Sequence, residues 1–113
     1  MHEMSTCRQL IKQIEKFAQA EPEKKIKNIK LSVGELARVD VDELIELFPI
    51  ASQGTCAENA ELIVSRVSIS VKCGECSKSS DVTAENMNCA FCGSENTQLS
   101  GGTDMLLNEL EFV

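Results

Sequence analysis

An α+β fold is predicted by the sequence: a small three-stranded sheet with two helices, plus a cysteine-rich subdomain inserted ahead of the last strand. Three patterns carry this expectation. Apolar residues recur at three- and four-residue steps in two segments, the period of a helix face. In three others they lie in short runs or alternate with polar residues, as strands do. Between Cys73 and about Thr97 the chain is short of aliphatics and rich in Cys, Ser, Asn and Gly. Such a stretch cannot build an apolar core of its own. The expected division is therefore a domain over residues 1–70, completed by strand 98–113, with a subdomain at 71–97.

The first helix is expected over Ser5 to Ala20, with Met4, Cys7, Leu10, Ile11, Ile14, Phe17 and Ala18 forming one apolar stripe, and Glu21-Pro22 stops it. A strand follows from Lys27 to Val33, with Ile29, Leu31 and Val33 on one face and Asn28, Lys30 and Ser32 on the other; Gly34 breaks it. Asp40 and Glu43 have the spacing of a capping box and open the second helix, with Val41, Leu44, Ile45, Leu47 and Phe48 on its buried side. Pro49 should kink or shorten that helix, because it removes a backbone donor and clashes one turn back; Gly54 is the expected stop. A long strand is read from Leu62 to Val71. Its apolar parity switches near Ser65 and Arg66, which suggests a bulge or bend. After Gly101-Gly102 a last strand covers Met105 to Val113.

Composition narrows the function. Eighteen acidic against eleven basic residues give a net charge of −7, which repels phosphate backbones and anionic lipid. Neither nucleic acid nor a membrane surface is an expected partner. One His, no Tyr and no Trp leave little material for base stacking or for most catalytic toolkits. No apolar signal region opens the chain and no run is long enough to span a bilayer. The expected compartment is the cytoplasm, where thiols stay reduced and paired cysteines serve more often as metal ligands than as disulfides.

Cys73-Gly-Glu-Cys76 and Cys89-Ala-Phe-Cys92 are two such pairs. Two residues between cysteines let a tight turn aim both sulfurs at one point. Two turns on a hairpin supply four thiolates at tetrahedral corners, which suits a structural Zn²⁺ with no open position. Gly74 and Gly93 fit the turns. A redox CxxC belongs at a strand-to-helix turn, and neither pair sits at one. A catalytic zinc needs an open position and usually His ligands, and the lone His is at position 2. Cys7 and Cys56 stand apart, and each reads as a small buried apolar residue.

That lone His has a chemical option of its own. The Met1 amine, the His2 amide nitrogen and the His2 ring nitrogen can share one metal in fused chelate rings, and planar nitrogen donors favour Ni²⁺ or Cu²⁺. Glu3 could add a fourth donor through backbone or carboxylate. Read alone, a His near a terminus is more often merely solvated.

The order of motifs changes that balance. Met1-His2-Glu3-Met4-Ser5, Leu31-Ser32-Val33-Gly34-Glu35-Leu36, Gly54-Thr55-Cys56-Ala57-Glu58-Asn59-Ala60-Glu61-Leu62 and the paired CxxC motifs closely resemble, over essentially the whole chain, the HypA/HybF family of nickel-insertion accessory proteins in [NiFe]-hydrogenase maturation. The resemblance implies a nickel metallochaperone and no enzyme. It implies Ni(II) as transferred cargo held by His2 and Glu3, a carboxylate at Asp40 associated with the same site, and the Met1 amine as a further candidate. It also implies structural Zn(II) on Cys73, Cys76, Cys89 and Cys92. The partners it implies are the maturation GTPase HypB and the hydrogenase large subunit, and some relatives also serve urease. Pro49 and Cys56 depart from the family pattern. The competing reading is a zinc-ribbon interaction adaptor without nickel transfer.

Overall fold

The structure, a computed structural model, describes Glu3–Val113 together with the backbone of His2. In chain order its elements are α1 (His2–Ala18), β1 (Ile26–Gly34), α2 (Val41–Ala51), β2 (Glu61–Val67), β3 (Ile69–Cys73), β4 (Ser79–Val82), β5 (Thr97–Gly101) and β6 (Met105–Phe112). The strands form two three-stranded sheets, ordered β2-β1-β6 and β4-β3-β5. The fold class is the α+β class that the sequence predicts. The chain divides into two compact units, one of Met1–Ser32, Val39–Ser65 and Leu106–Val113, the other of Val33–Arg38 and Arg66–Met105. The second takes in the cysteine-rich stretch and the strands that flank it.

In the first unit, α1 lies along α2. The inner stripe of α1 is Glu3, Cys7, Leu10, Ile11, Ile14 and Ala18, all buried. Phe17, expected on that stripe, is 62% exposed, because it sits one residue off the line that Ile14 and Ala18 share. The helix starts at His2 rather than Ser5 and ends at Ala18, with Glu3 in its first turn and Lys16 in its last, both favoured by the helix dipole.

Asp40 caps α2 as its spacing predicts: its backbone is extended and its side-chain oxygen accepts the Glu43 N–H at 3.2 Å. Val41, Leu44 and Phe48 are buried, while Ile45 is exposed. An i, i+3, i+7 stripe suffices for a helix of this length, so the wider apolar face expected is only partly used. α2 runs two residues past Pro49 to Ala51 and ends well before Gly54. In the last turn proline removes only one ladder bond, and the Ser52 N–H closes the end on the Phe48 carbonyl at 2.9 Å.

β1 buries Ile29 and Leu31 as expected. Its other face is polar and meets β6. Asn28 donates to Glu111 at 2.8 Å, Lys30 lies 3.7 Å from Glu111, and Asn108 donates to the Ser32 hydroxyl.

The single long strand read from Leu62 to Val71 is two strands. The chain leaves the first sheet after Val67 and enters the second at Ile69. The parity switch is therefore a change of sheet at Ser68 rather than a bulge near Ser65. In the second unit β3 is central, antiparallel to β4 (Val71 opposite Ser80) and to β5 (Cys73 opposite Thr97). Buried here are Val33, Ile69, Val71, Cys73 and Cys89. The segment after Val33 is clasped to this unit by three amide bonds: Gly34 N–H to the Asp104 carbonyl (2.9 Å), Glu35 to Val67 (2.9 Å) and Leu36 to Gly102 (2.8 Å). A Cβ on Gly34 would lie 2.3 Å from the Gly102 carbonyl group, so only glycine allows this approach.

Candidate metal centre

Cys73 ends β3, and Cys76, Cys89 and Cys92 follow in two loops that close on it. The four sulfurs lie within 4.8 Å of one another, with Cys73–Cys92 and Cys76–Cys89 both at 3.6 Å. Tetrahedral zinc with bonds of about 2.3 Å requires sulfurs about 3.8 Å apart. The spacing matches that geometry, and the donors are four soft thiols with no His or carboxylate among them. The residues present therefore fit a closed zinc site.

Both loops are the same turn made twice. The Cys73 N–H donates to the Lys78 carbonyl and the Ser77 N–H returns to the Cys73 carbonyl; the Cys89 N–H donates to Ser94 and the Gly93 N–H returns to Cys89. Each turn aims amides at its first sulfur: Glu75 and Cys76 at Cys73 (3.3 and 3.4 Å), and Phe91 at Cys89 (3.4 Å). The residue after each pair has positive φ, Ser77 at 64° and Gly93 at 76°. Gly93 thus has the role its position suggests, but its counterpart is Ser77 and not Gly74. Gly74 serves packing instead, since a Cβ there would meet the Asn96 side chain at 2.6 Å. Laying the two cysteine pairs over one another would have located Ser77.

The thiols are unequal. The Cys92 N–H, then that of Phe91, favours the Cys89 thiolate and pulls its pKa down to about 6. The Cys76 N–H does the same for Cys73, whose pKa is also lowered. At Cys92 the Ser94 amide favours the thiolate, but the neighbouring Cys73 side chain, burial and the other sulfurs outweigh it and push the pKa up to about 12. A divalent cation held by Cys73, Cys76, Cys89 and Cys92 would relieve this crowding, since thiolates bind it in place of protons.

The remaining cysteines do other things. Cys7 is buried, with its thiol 3.8 Å from the Leu44 carbonyl and its pKa raised by burial and by Glu3. Cys56 is exposed, contrary to the buried reading, because the turn that carries it buries Ala57 and faces Cys56 outward.

Of the expected nickel residues, Met1 and the His2 side chain lie outside the described residues. The structure brings the other two together. Glu3 Oε1 accepts the backbone N–H of Asp40 at 3.0 Å, across thirty-seven positions of sequence. Among the described residues Glu3 is the one buried charged side chain. Sequence reading named both residues but not this bond, since nothing in the spacing of Glu3 and Asp40 shows that α1 and α2 begin side by side.

Residues 1–112 match the family model described as "Hydrogenase/urease nickel incorporation, metallochaperone, hypA". The chain is 39% identical over 99% of its length to hydrogenase maturation factor HypA of Aquifex aeolicus, covering 97% of that protein. It is 34% identical over its whole length to that of Nitrosospira multiformis, covering 98% of it. The solution structure of the Ni metallochaperone HypA from Helicobacter pylori superposes with a TM-score of 0.71 at 24% identity, covering 98% of this chain and 97% of that one. A second HypA solution structure gives 0.75 at 25% identity, covering 100% and 97%. The family is one of metallochaperones for nickel incorporation, not of enzymes. The chain belongs to the HypA family.

Proposed function

We propose that this protein binds Ni(II) at its amino terminus and delivers it for maturation of [NiFe]-hydrogenase, with Zn(II) held by Cys73, Cys76, Cys89 and Cys92 as a permanent structural ion. His2 is the principal nickel ligand, with the Met1 amine a further donor and the acidic residues Glu3 and Asp40 forming the side of the site nearest α2. The observation that carries this reading is the bond from Asp40 N–H to Glu3, which joins the chain start to the acidic cap of α2. The two metals are kept apart by chemistry: four soft thiolates suit zinc in a closed site, while nitrogen and carboxylate donors suit an open, exchangeable nickel site. Cu²⁺ outranks Ni²⁺ on such donors, so selectivity rests on metal supply and on docking to the partners, the GTPase HypB and the hydrogenase large subunit. Among the described residues no helix is long and apolar enough to cross a membrane, and the proposed site of action is the cytoplasm.

The test is Ni²⁺ titration of zinc-loaded protein with a native, untagged start, beside His2→Ala. Binding of one ion per chain that is lost in the variant supports the carrier. Equal binding by both, or none by either, overturns it. That outcome favours an interaction adaptor, for which the exposed Phe91 on the second cysteine turn would be the contact to examine.

A further inference from the structure

The two carboxylates of the proposed nickel site are placed very differently. Asp40 is exposed. One of its oxygens accepts the Glu43 N–H and leaves the other lone pairs of the carboxylate for a cation. Glu3 is only 7% exposed. It occupies the inward stripe of α1, one turn ahead of Cys7, and its charge reaches the Cys7 thiol and raises that thiol's pKa. A charged group on a core-facing stripe is costly unless it is hydrogen-bonded. Its partner here is a backbone amide, the N–H of the residue that caps α2. That amide is one no helix bond can use, so the pairing satisfies both groups.

We infer that the Glu3 side chain is a positioning group rather than a nickel ligand: its carboxylate ties the first turn of α1 to the Asp40 amide and so sets the chain start beside the Asp40 carboxylate. The inference rests on the proposed nickel site and divides its labour. Asp40 supplies the acidic donor to the ion, and Glu3 supplies the geometry. A ligand role would require the second oxygen of Glu3 to reach the ion from a side chain that is almost wholly buried, while Oε1 holds the Asp40 amide. A site built for an exchangeable ion does better with a fixed frame, because preorganisation supplies affinity without adding ligands.

Two substitutions separate the roles. Glu3→Gln keeps an oxygen that accepts from the Asp40 N–H but is a poor donor to nickel; Glu3→Ala keeps neither. Both are made with a native start and zinc loaded, and are measured for nickel affinity and, without nickel, for hydrogen exchange at the Asp40 amide. The positioning role predicts nickel binding weakened by about tenfold or more in Glu3→Ala and restored to within about threefold in Glu3→Gln. It also predicts faster Asp40 exchange in Glu3→Ala alone. Equal loss in both variants, with Asp40 still protected in Glu3→Gln, makes Glu3 a ligand and overturns the inference. So does unchanged affinity in both. If wild type and His2→Ala bind nickel alike, the nickel reading has failed, and the exchange measurement then decides the Glu3–Asp40 link alone: Asp40 protection unaltered in Glu3→Ala overturns it.

Discussion

Removal of zinc should unfold the second unit and spare the first. In Arg66–Met105 the large side chains fully buried are Ile69 and Val71. Burying each is worth about 1.5–3 kcal/mol, so together they contribute about 3–6 kcal/mol. A structural zinc on thiolates supplies about 10–16 kcal/mol in small zinc-finger peptides, several times what the burial of these two side chains contributes. The first unit, by contrast, fully buries Leu10, Ile14, Ile29, Leu31, Leu44 and Phe48. Stripping the ion with a strong chelator, or substituting Cys73→Ala, should therefore collapse the amide dispersion of β3, β4 and β5, while α1 and α2 keep their ellipticity. Amide-resolved NMR beside a colorimetric zinc assay reads both. If the cross-strand protection of Val71 and Lys72 survived with no zinc remaining, the unit would be holding itself together by packing, and the argument from its thin core would be wrong.

Thiol titration offers an independent count: in zinc-loaded protein, Cys56 alone should react readily and Cys56→Ser should abolish that reaction, whereas a second readily reacting thiol would mean an open cysteine site. Partial desolvation by the turn around it, and then the Glu15 charge, raise the pKa of the exposed Cys56 thiol, so its reaction should speed up with pH. Glu111 accepts from Asn28 and faces Lys30, which lowers its pKa below the ordinary 4.5. Folding therefore gains stability from this group above that value and loses it as the pH falls through the lower folded pKa; Glu111→Gln should flatten this acid limb in urea melts, and an unchanged slope counts against the pair. Gly34→Ala places a Cβ 2.3 Å from backbone that cannot swing aside; with three clasp bonds worth about 1 kcal/mol each at risk, a loss of about 2–3 kcal/mol is expected, and an unaltered urea midpoint would show that the clasp yields easily.

Local features were legible in the sequence because they depend on neighbours. The Asp40 cap, the β1 alternation, the break at Gly34 and the paired cysteine turns each follow from residues a few positions apart. What was misread depended on where distant segments go. Val67 and Ile69 look like one strand because both neighbourhoods are β-branched; only sheet membership separates them. Ile45 and Phe17 look buried because they are apolar, yet the structure leaves both exposed. β4 and β5 carry polar residues in short runs, such as Ser79-Ser80-Asp81, and their pairing with β3 is fixed by the cysteine turns at their ends rather than by any apolar pattern.

The Glu3–Asp40 bond belongs to the same class, and it bears on how a cargo site differs from a resident one. At the four cysteines the information is in the spacing: each pair makes its own turn and the metal needs only two such turns. A site of that kind is strong, and once zinc fills it no position is open for exchange. An ion to be handed on needs fewer and harder donors, and with fewer donors the frame must supply what ligand number does not. In the site proposed here that frame would come from two helices that begin side by side, where a buried carboxylate on one accepts the free amide at the start of the other. No short motif can encode such an arrangement. The start Met1-His2 shows the proposed nitrogen donors at once, while the place of Glu3 appears only when α1 lies against α2.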